Sequence, residues 1–127
     1  METINFPDHD YVFVTHNDDG SVDVYFNIET DEILALGYEM NGINDDAYMN
    51  GYNWEAFLNH YLARNAPDIL EDMETDSEAG TYVAFYEDGA ANEDKAIRLA
   101  ETIISLVENK EEIFRILREE GDGIEWD

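Results

Sequence analysis

Cysteine is absent from this 127-residue chain. That removes disulfides, thiol nucleophiles and thiolate metal ligands together, and it fits a reducing compartment. Basic residues are scarce: six Lys and Arg stand against 32 Asp and Glu, for a formal net charge of −26. Residues 1 to 63 contain no Lys or Arg at all, against thirteen acids. Long apolar runs are missing as well, so no membrane span is expected. The first eight residues, Met1 to Asp8, carry neither a basic nor an apolar leader, and the expected location is the cytoplasm. Binding to nucleic acid or anionic lipid is excluded on sign alone, because both require positive charge. There is no internal repeat, low-complexity tract or Ser/Pro linker. The length predicts one domain over residues 1–127.

The apolar fraction, 44%, is high enough to build a core despite the charge, so disorder is rejected. Tyr11–Thr15 is β-branched and aromatic and predicts a strand. His16 to Gly20 has Asp-Gly turn chemistry. Ser21–Ile28 alternates, with Val22, Val24, Phe26 and Ile28 on one face, as a half-buried strand does. Ile33–Met40 also alternates, with Leu34, Leu36, Tyr38 and Met40 on one side, and predicts a third strand completing an antiparallel meander. A flexible loop, Asn41 to Asn53, follows with Gly42 and Gly51 as hinges. Asn53 is the expected cap of a helix whose Trp54, Phe57, Leu58, Tyr61 and Leu62 form one stripe. Ala66-Pro67 ends it. Pro67–Leu70 suggests a further helical turn, Thr81–Glu87 a strand, and Asn92 caps a long helix that Asn109-Lys110 interrupts. Glu111–Glu120 gives a last helix. The expected fold is α+β: a small antiparallel sheet of about four strands with helices packed on one face.

Most catalytic and metal chemistries find no footing. With Gly20 as the sixth residue of a calcium loop, Thr15 and Phe26 fall where acids are required. Gly89 fails in the same way, with Ala84 first. Only an incidental, weak calcium site among Glu71–Glu78 stays open. His9, His16 and His60 have no partner at ligand spacing and read as turn and surface histidines. Ser21, Ser77 and Ser105 lie outside any nucleophile motif, and no phosphate-cradling glycine loop is present. With 32 carboxylates, no single pair identifies an acid–base site. The expectation is therefore no enzyme, no metal and no cofactor.

What remains is a binding surface or, more plainly, a surface that is merely soluble. Acids repel one another and cost stability, whereas a basic partner would use them. Asp45, Asp46, Tyr48, Met49 and Tyr52 combine charge with the residue types that anchor interfaces. Glu71, Asp72, Glu74, Asp76 and Glu78 put five carboxylates into eight residues, and Asp18 and Asp19 occupy the first turn. These twelve are the candidate partner-binding residues. Tyr52 and Trp54 have an equally good reading as a staple from the helix start to the core. The bases look structural, with Asp94–Arg98 and Glu111–Arg115 at helical spacing.

Gly51-Tyr-Asn-Trp-Glu-Ala-Phe-Leu-Asn-His-Tyr-Leu62, Ala66-Pro-Asp-Ile-Leu70 and Asp76-Ser-Glu-Ala-Gly-Thr-Tyr-Val-Ala-Phe-Tyr86 resemble the immunity protein 51 family, small antidotes of bacterial polymorphic toxin systems. The resemblance covers roughly residues 50 to 108, while the first fifty match only in their strand pattern. It implies an α+β fold, no catalysis, and a cognate toxin as partner for a monomer or homodimer. Gly51, Trp54 and Gly80 match its motif and read as fold determinants. Combined with the charge, it implies occlusion of a basic, nuclease-type toxin. The competing readings are an acidic nucleic-acid mimic or chaperone for endogenous basic proteins, and a small carboxylate enzyme.

Overall fold

The computed structural model describes residues 9–126. Along the chain the elements are β1 (Val12–His16), β2 (Val22–Asn27), α1 (Asp31–Ile43), α2 (Gly51–Asn65), α3 (Pro67–Leu70), β3 (Glu74–Thr75), β4 (Thr81–Tyr86), α4 (Ala90–Glu108) and α5 (Lys110–Glu120), with a 3₁₀ turn at Gly121–Gly123. The sheet has four antiparallel strands in the order β1-β2-β4-β3, so the fold is α+β. No helix among the described residues is long and apolar enough to cross a membrane.

The β1–β2 hairpin forms where alternation and Asp-Gly turn chemistry predict it. Gly20 takes φ +89°, and Asn17 N–H donates to the Ser21 carbonyl at 2.9 Å. The meander stops there, because Ile33–Met40 is not a strand but the body of α1. Thr30 is the N-cap, its hydroxyl accepting from Ile33 N–H, and Asp31 and Glu32 occupy the first turn, where the helix dipole favours them. Ile33, Leu36, Gly37 and Met40 are buried at steps of three and four, and that stripe outcompetes the alternation that Leu34, Leu36, Tyr38 and Met40 also satisfy. The partner of β2 is instead β4, with Val24 opposite Ala84 and Phe26 opposite Tyr82. The fourth strand is the short β3, inside the acidic connection.

One face of this sheet is covered. Val22, Val24 and Phe26 from β2 and Tyr82, Ala84 and Tyr86 from β4 are buried beneath α2 and α4. Trp54 of α2 meets Phe26 edge-on, with ring centroids 4.9 Å apart, and meets Phe57 at 5.9 Å, a favoured aromatic geometry. On α4 the buried stripe is Ala96, Leu99, Ala100, Ile103, Leu106 and Val107. Tyr86 hydroxyl donates to the Ile69 carbonyl at 2.6 Å, which ties α3 to the sheet, and burial raises the pKa of this hydroxyl well above its ordinary value. Asn109 separates α4 from α5, as expected.

Two helix starts differ from the sequence reading. The cap of α2 is Asn50, whose side chain accepts from Asn53 N–H at 2.9 Å, while Asn53 itself is buried. The long helix begins at Ala90 after Gly89 at φ +154°, and Asn92 donates its side-chain amide to the Glu87 carbonyl. Neither glycine of the expected hinge acts as one. Gly42 lies within α1, and Gly51 is buried at the first position of α2. Gly51 N–H donates to the Ala79 carbonyl at 2.8 Å, and a Cβ there would overlap the Glu78 carbonyl oxygen and lie 2.8 Å from that of Thr81.

The bases fasten helices. Arg98 forms a two-pronged pair with Asp68 at 2.6 and 3.3 Å, shorter than its 3.8 Å approach to Asp94. Arg115 pairs with Glu112, Glu119 and Glu120 rather than with Glu111. Glu120 also accepts from His60 at 2.8 Å and lies 3.1 Å from Arg64, which clasps α2 to the end of α5. These contacts, led by the His60 hydrogen bond, lower the Glu120 pKa.

Gly51→Ala should cost about 3 kcal/mol or more, because the added methyl meets backbone that cannot step aside; chemical denaturation would measure it. A lowered folded pKa means that Glu120 stabilises above its unfolded value and that the contribution disappears as pH falls through the folded one. Glu120→Gln should therefore be less stable than wild type by about 1 kcal/mol at pH 7, and the difference should shrink as pH falls through the lowered carboxyl pKa.

Candidate interaction surface

The run from Asn44 to Asn50 is short and internally tied. Asn44 side-chain oxygen accepts from Asp46 N–H at 2.9 Å, and Asn44 carbonyl accepts from Ala47 N–H at 3.0 Å. Asn41, in the last turn of α1, donates to the Ala47 carbonyl at 3.1 Å. These bonds fold the run back along α1 and sort its side chains. Ala47 and Met49 are buried, and Gly37 leaves the space in which Met49 sits, since a Cβ at residue 37 would be 3.2 Å from that of Met49. Met49 pays for its position with a left-handed φ of +56°. It anchors the loop from within, packed in the core cluster. Tyr48 is 73% exposed, Tyr52 is 42% exposed, and Asp45 and Asp46 are exposed. Trp54 faces the core. The staple reading therefore holds for Trp54, while Tyr52 remains half outside.

The twelve candidate residues fall mainly at two ends of the sheet. At one end, Asp45, Asp46, Tyr48 and Tyr52 precede or begin α2, and Glu78 is brought to them because its carbonyl crowds Gly51. At the other end, Asp18 and Asp19 form the β1–β2 turn, and Gly20 lies against the Asp88 side chain. Asp72 and Glu74 share a depression there with Glu87 and Asp88. Asp76 lies between the two ends on the sheet edge, its N–H donating to the Val83 carbonyl at 3.0 Å. Two members are partly engaged. Asp72 lies 3.6 Å from Lys95, which also donates to the Glu71 carbonyl, and Asp19 accepts from Ser21 hydroxyl and N–H at 2.6 and 2.9 Å, which lowers its pKa.

Sequence reading missed several exposed groups. Leu34 and Tyr38 are 42% and 79% exposed; a strand would have placed them on the same face as Leu36 and Met40, whereas the helix turns them outward. Glu87 was read as the end of the strand Thr81–Glu87 and Asp88 only as part of the Asp88-Gly89 turn after it, although two adjacent acids were visible there. Tyr11 registers the negative surroundings: its hydroxyl is pushed up to about 12 by burial first and then by the fields of Glu32, Glu108 and Asp10. His9 accepts from Tyr11 N–H, and His16 places Nε2 3.0 Å from Glu93. Among the described residues no three His, Asp or Glu side chains converge as a metal site would require.

The distribution of bases is one-sided. All six lie on α2, α4 and α5, and five of them, Arg64, Lys95, Arg98, Lys110 and Arg115, are within 4 Å of a carboxylate. The sheet, α1 and the acidic connections carry none. The α+β frame that carries this surface is matched over residues 11–122 by the model of the family described as Immunity protein 51. The chain belongs to the immunity protein 51 family. The match reaches β1 and β2 at one end and the close of α5 at the other, well beyond the segment whose motifs carry the resemblance. No curated protein and no solved structure matches the chain significantly.

The division of the loop into inward and outward residues can be checked by stability. Met49→Ala should cost about 2–4 kcal/mol. The triple change of Asp45, Asp46 and Tyr48 to Ala should stay within about 1 kcal/mol of wild type in the same denaturation series.

Proposed function

We propose that this immunity-family protein neutralises a cognate toxin domain by binding a basic region of it, of the kind a nuclease presents to nucleic acid. The observation that carries this reading is the segregation of charge. Every base lies on α2, α4 or α5, and five of the six stand against an acid, while the strands, α1 and the loop clusters contribute acids alone, with Lys95 of α4 reaching only Asp72 among the candidate carboxylates. A nuclease cleft must be cationic to hold phosphates, and a protein of charge −26 offers it a competing array of carboxylates. Long-range attraction would bring the pair together quickly, and hydrogen bonds between guanidinium or ammonium groups and carboxylates would hold it. In this reading the carboxylates grip and perform no reaction, and the work takes place in the cytoplasm, where such a toxin meets its target.

The test is association with the toxin domain encoded beside the gene. At about 50 mM salt the association rate should approach roughly 10⁸ M⁻¹s⁻¹, and it should fall tenfold or more by about 500 mM, measured by stopped-flow or biolayer interferometry. Failure of the two to associate at low and moderate salt would overturn the proposal, as would retention of host basic proteins in place of the toxin domain.

A further inference from the structure

The face of the sheet that the described helices leave open departs from what an antiparallel sheet ordinarily shows to water. Alternation places polar residues on such a face. Here the register aligns Phe13, Tyr25 and Val83 across three strands, and places Phe85 in the next row between Asp23 and Glu74. Phe13 is 43% exposed, and Tyr25, Val83 and Phe85 are half-buried. Their strand neighbours toward the core, Val12, Val24, Ala84 and Tyr86, are fully buried beneath the helices. The apolar side chains of β1, β2 and β4 therefore serve two faces, and only one of them is packed by the described helices.

Charge decides what fits this face. No Lys or Arg occurs on any of the four strands or on the turns that join β1 to β2 and β3 to β4. Asp23 is held in place, its carboxylate accepting from Asn17 side-chain amide and Tyr25 hydroxyl, both at 3.1 Å. Glu74 is exposed at the far end of the same row. A second copy of the chain laid on this face would bring carboxylates against carboxylates at a net charge of −26 each. A cationic protein meets the opposite situation. The aliphatic stems of its Lys and Arg side chains can lie across Phe13 and Tyr25, with the ring faces attracting the charged heads and Asp23 and Glu74 receiving them. An apolar centre within a charged rim is the anatomy of an interface, and strands present it without the ordering cost of a loop.

We propose that this open face, centred on Phe13 and Tyr25 and bounded by Asp23 and Glu74, is a principal contact for the basic region of the toxin domain. The inference rests on the antidote reading and adds to it a rigid surface outside the loop clusters. The turn from Glu78 to Thr81 is the step between them, because Thr81 opens β4 while Ala79 accepts from Gly51.

The experiment measures affinity for the toxin domain encoded beside the gene, with wild type, Phe13→Ser, Glu74→Lys and the loop triple of Asp45, Asp46 and Tyr48 to Ala. Phe13→Ser and Glu74→Lys should each lose about 30-fold or more in affinity, and Glu74→Lys, at an exposed position, should keep the wild-type melting temperature. If both bind like wild type while the loop triple binds weakly, the sheet face is not the contact and the antidote reading survives. Absence of binding by wild type overturns both. A wild-type dimer in sedimentation that Phe13→Ser dissociates would assign the face to a second copy and overturn the proposal.

Discussion

Two backbones touch where Gly51 meets the turn before β4, and much of the molecule is arranged around that contact. The hydrogen bond from Gly51 to Ala79 uses one of the N–H groups that a helix start leaves without an intrahelical partner. It sets the height of α2 above the sheet, so that Trp54, one turn of the helix later, reaches Phe26. It also fixes the turn from Glu78 to Thr81, and hence the start of β4. A side chain at residue 51 would separate the layers. The glycine thus acts by permitting close approach, and its φ lies outside the positive region, so conformational freedom is not its purpose.

The one-sided covering of the sheet has an electrostatic counterpart. Helices α2, α4 and α5 bring their apolar stripes to the core and their bases to the opposite surface, where Asp68, Glu112 and Glu120 meet them. The pairings use up a minority of the acids, and the sheet, α1 and the connections carry theirs with no base of their own. Negative charge of this size weakens the compact state by self-repulsion, and the buried aromatic and aliphatic core offsets it. A surface of this kind is costly to keep without a partner, and membership of the immunity protein 51 family is consistent with one.

Local chemistry was legible where a single signal dominated. The β1–β2 hairpin, the stripe of α2, the strand at Thr81–Tyr86 and the break at Asn109 all lie where periodicity, turn residues and apolar spacing agree. Ile33–Met40 was misread because its apolar residues fit both a two-residue and a helical period, and the cap at Thr30, which together with the buried stripe favours the helix, lies outside the segment. The helix starts shifted for a similar reason. Asn50 and Asn53 are both plausible caps, and only the docking of Gly51 on the neighbouring turn selects the first. The candidate surface suffered from the same ambiguity: Met49 and Tyr48 are alike as interface residues in a sequence, yet opposite in orientation once the loop folds onto Gly37.

By itself the sequence determined the α+β composition, the scarcity of bases, the exclusion of thiol chemistry and the family motif around Gly51–Leu62, because each depends on residue types or short spacings. Tertiary structure alone decided that β4 pairs with β2, that acids distant in the chain share the two ends of one sheet, and that Phe13 and Tyr25 stand on a face the described helices leave open. Those outcomes depend on which apolar faces find each other across long stretches of chain. Alternation shows that a strand has two faces, but only the packed neighbours determine which one is buried.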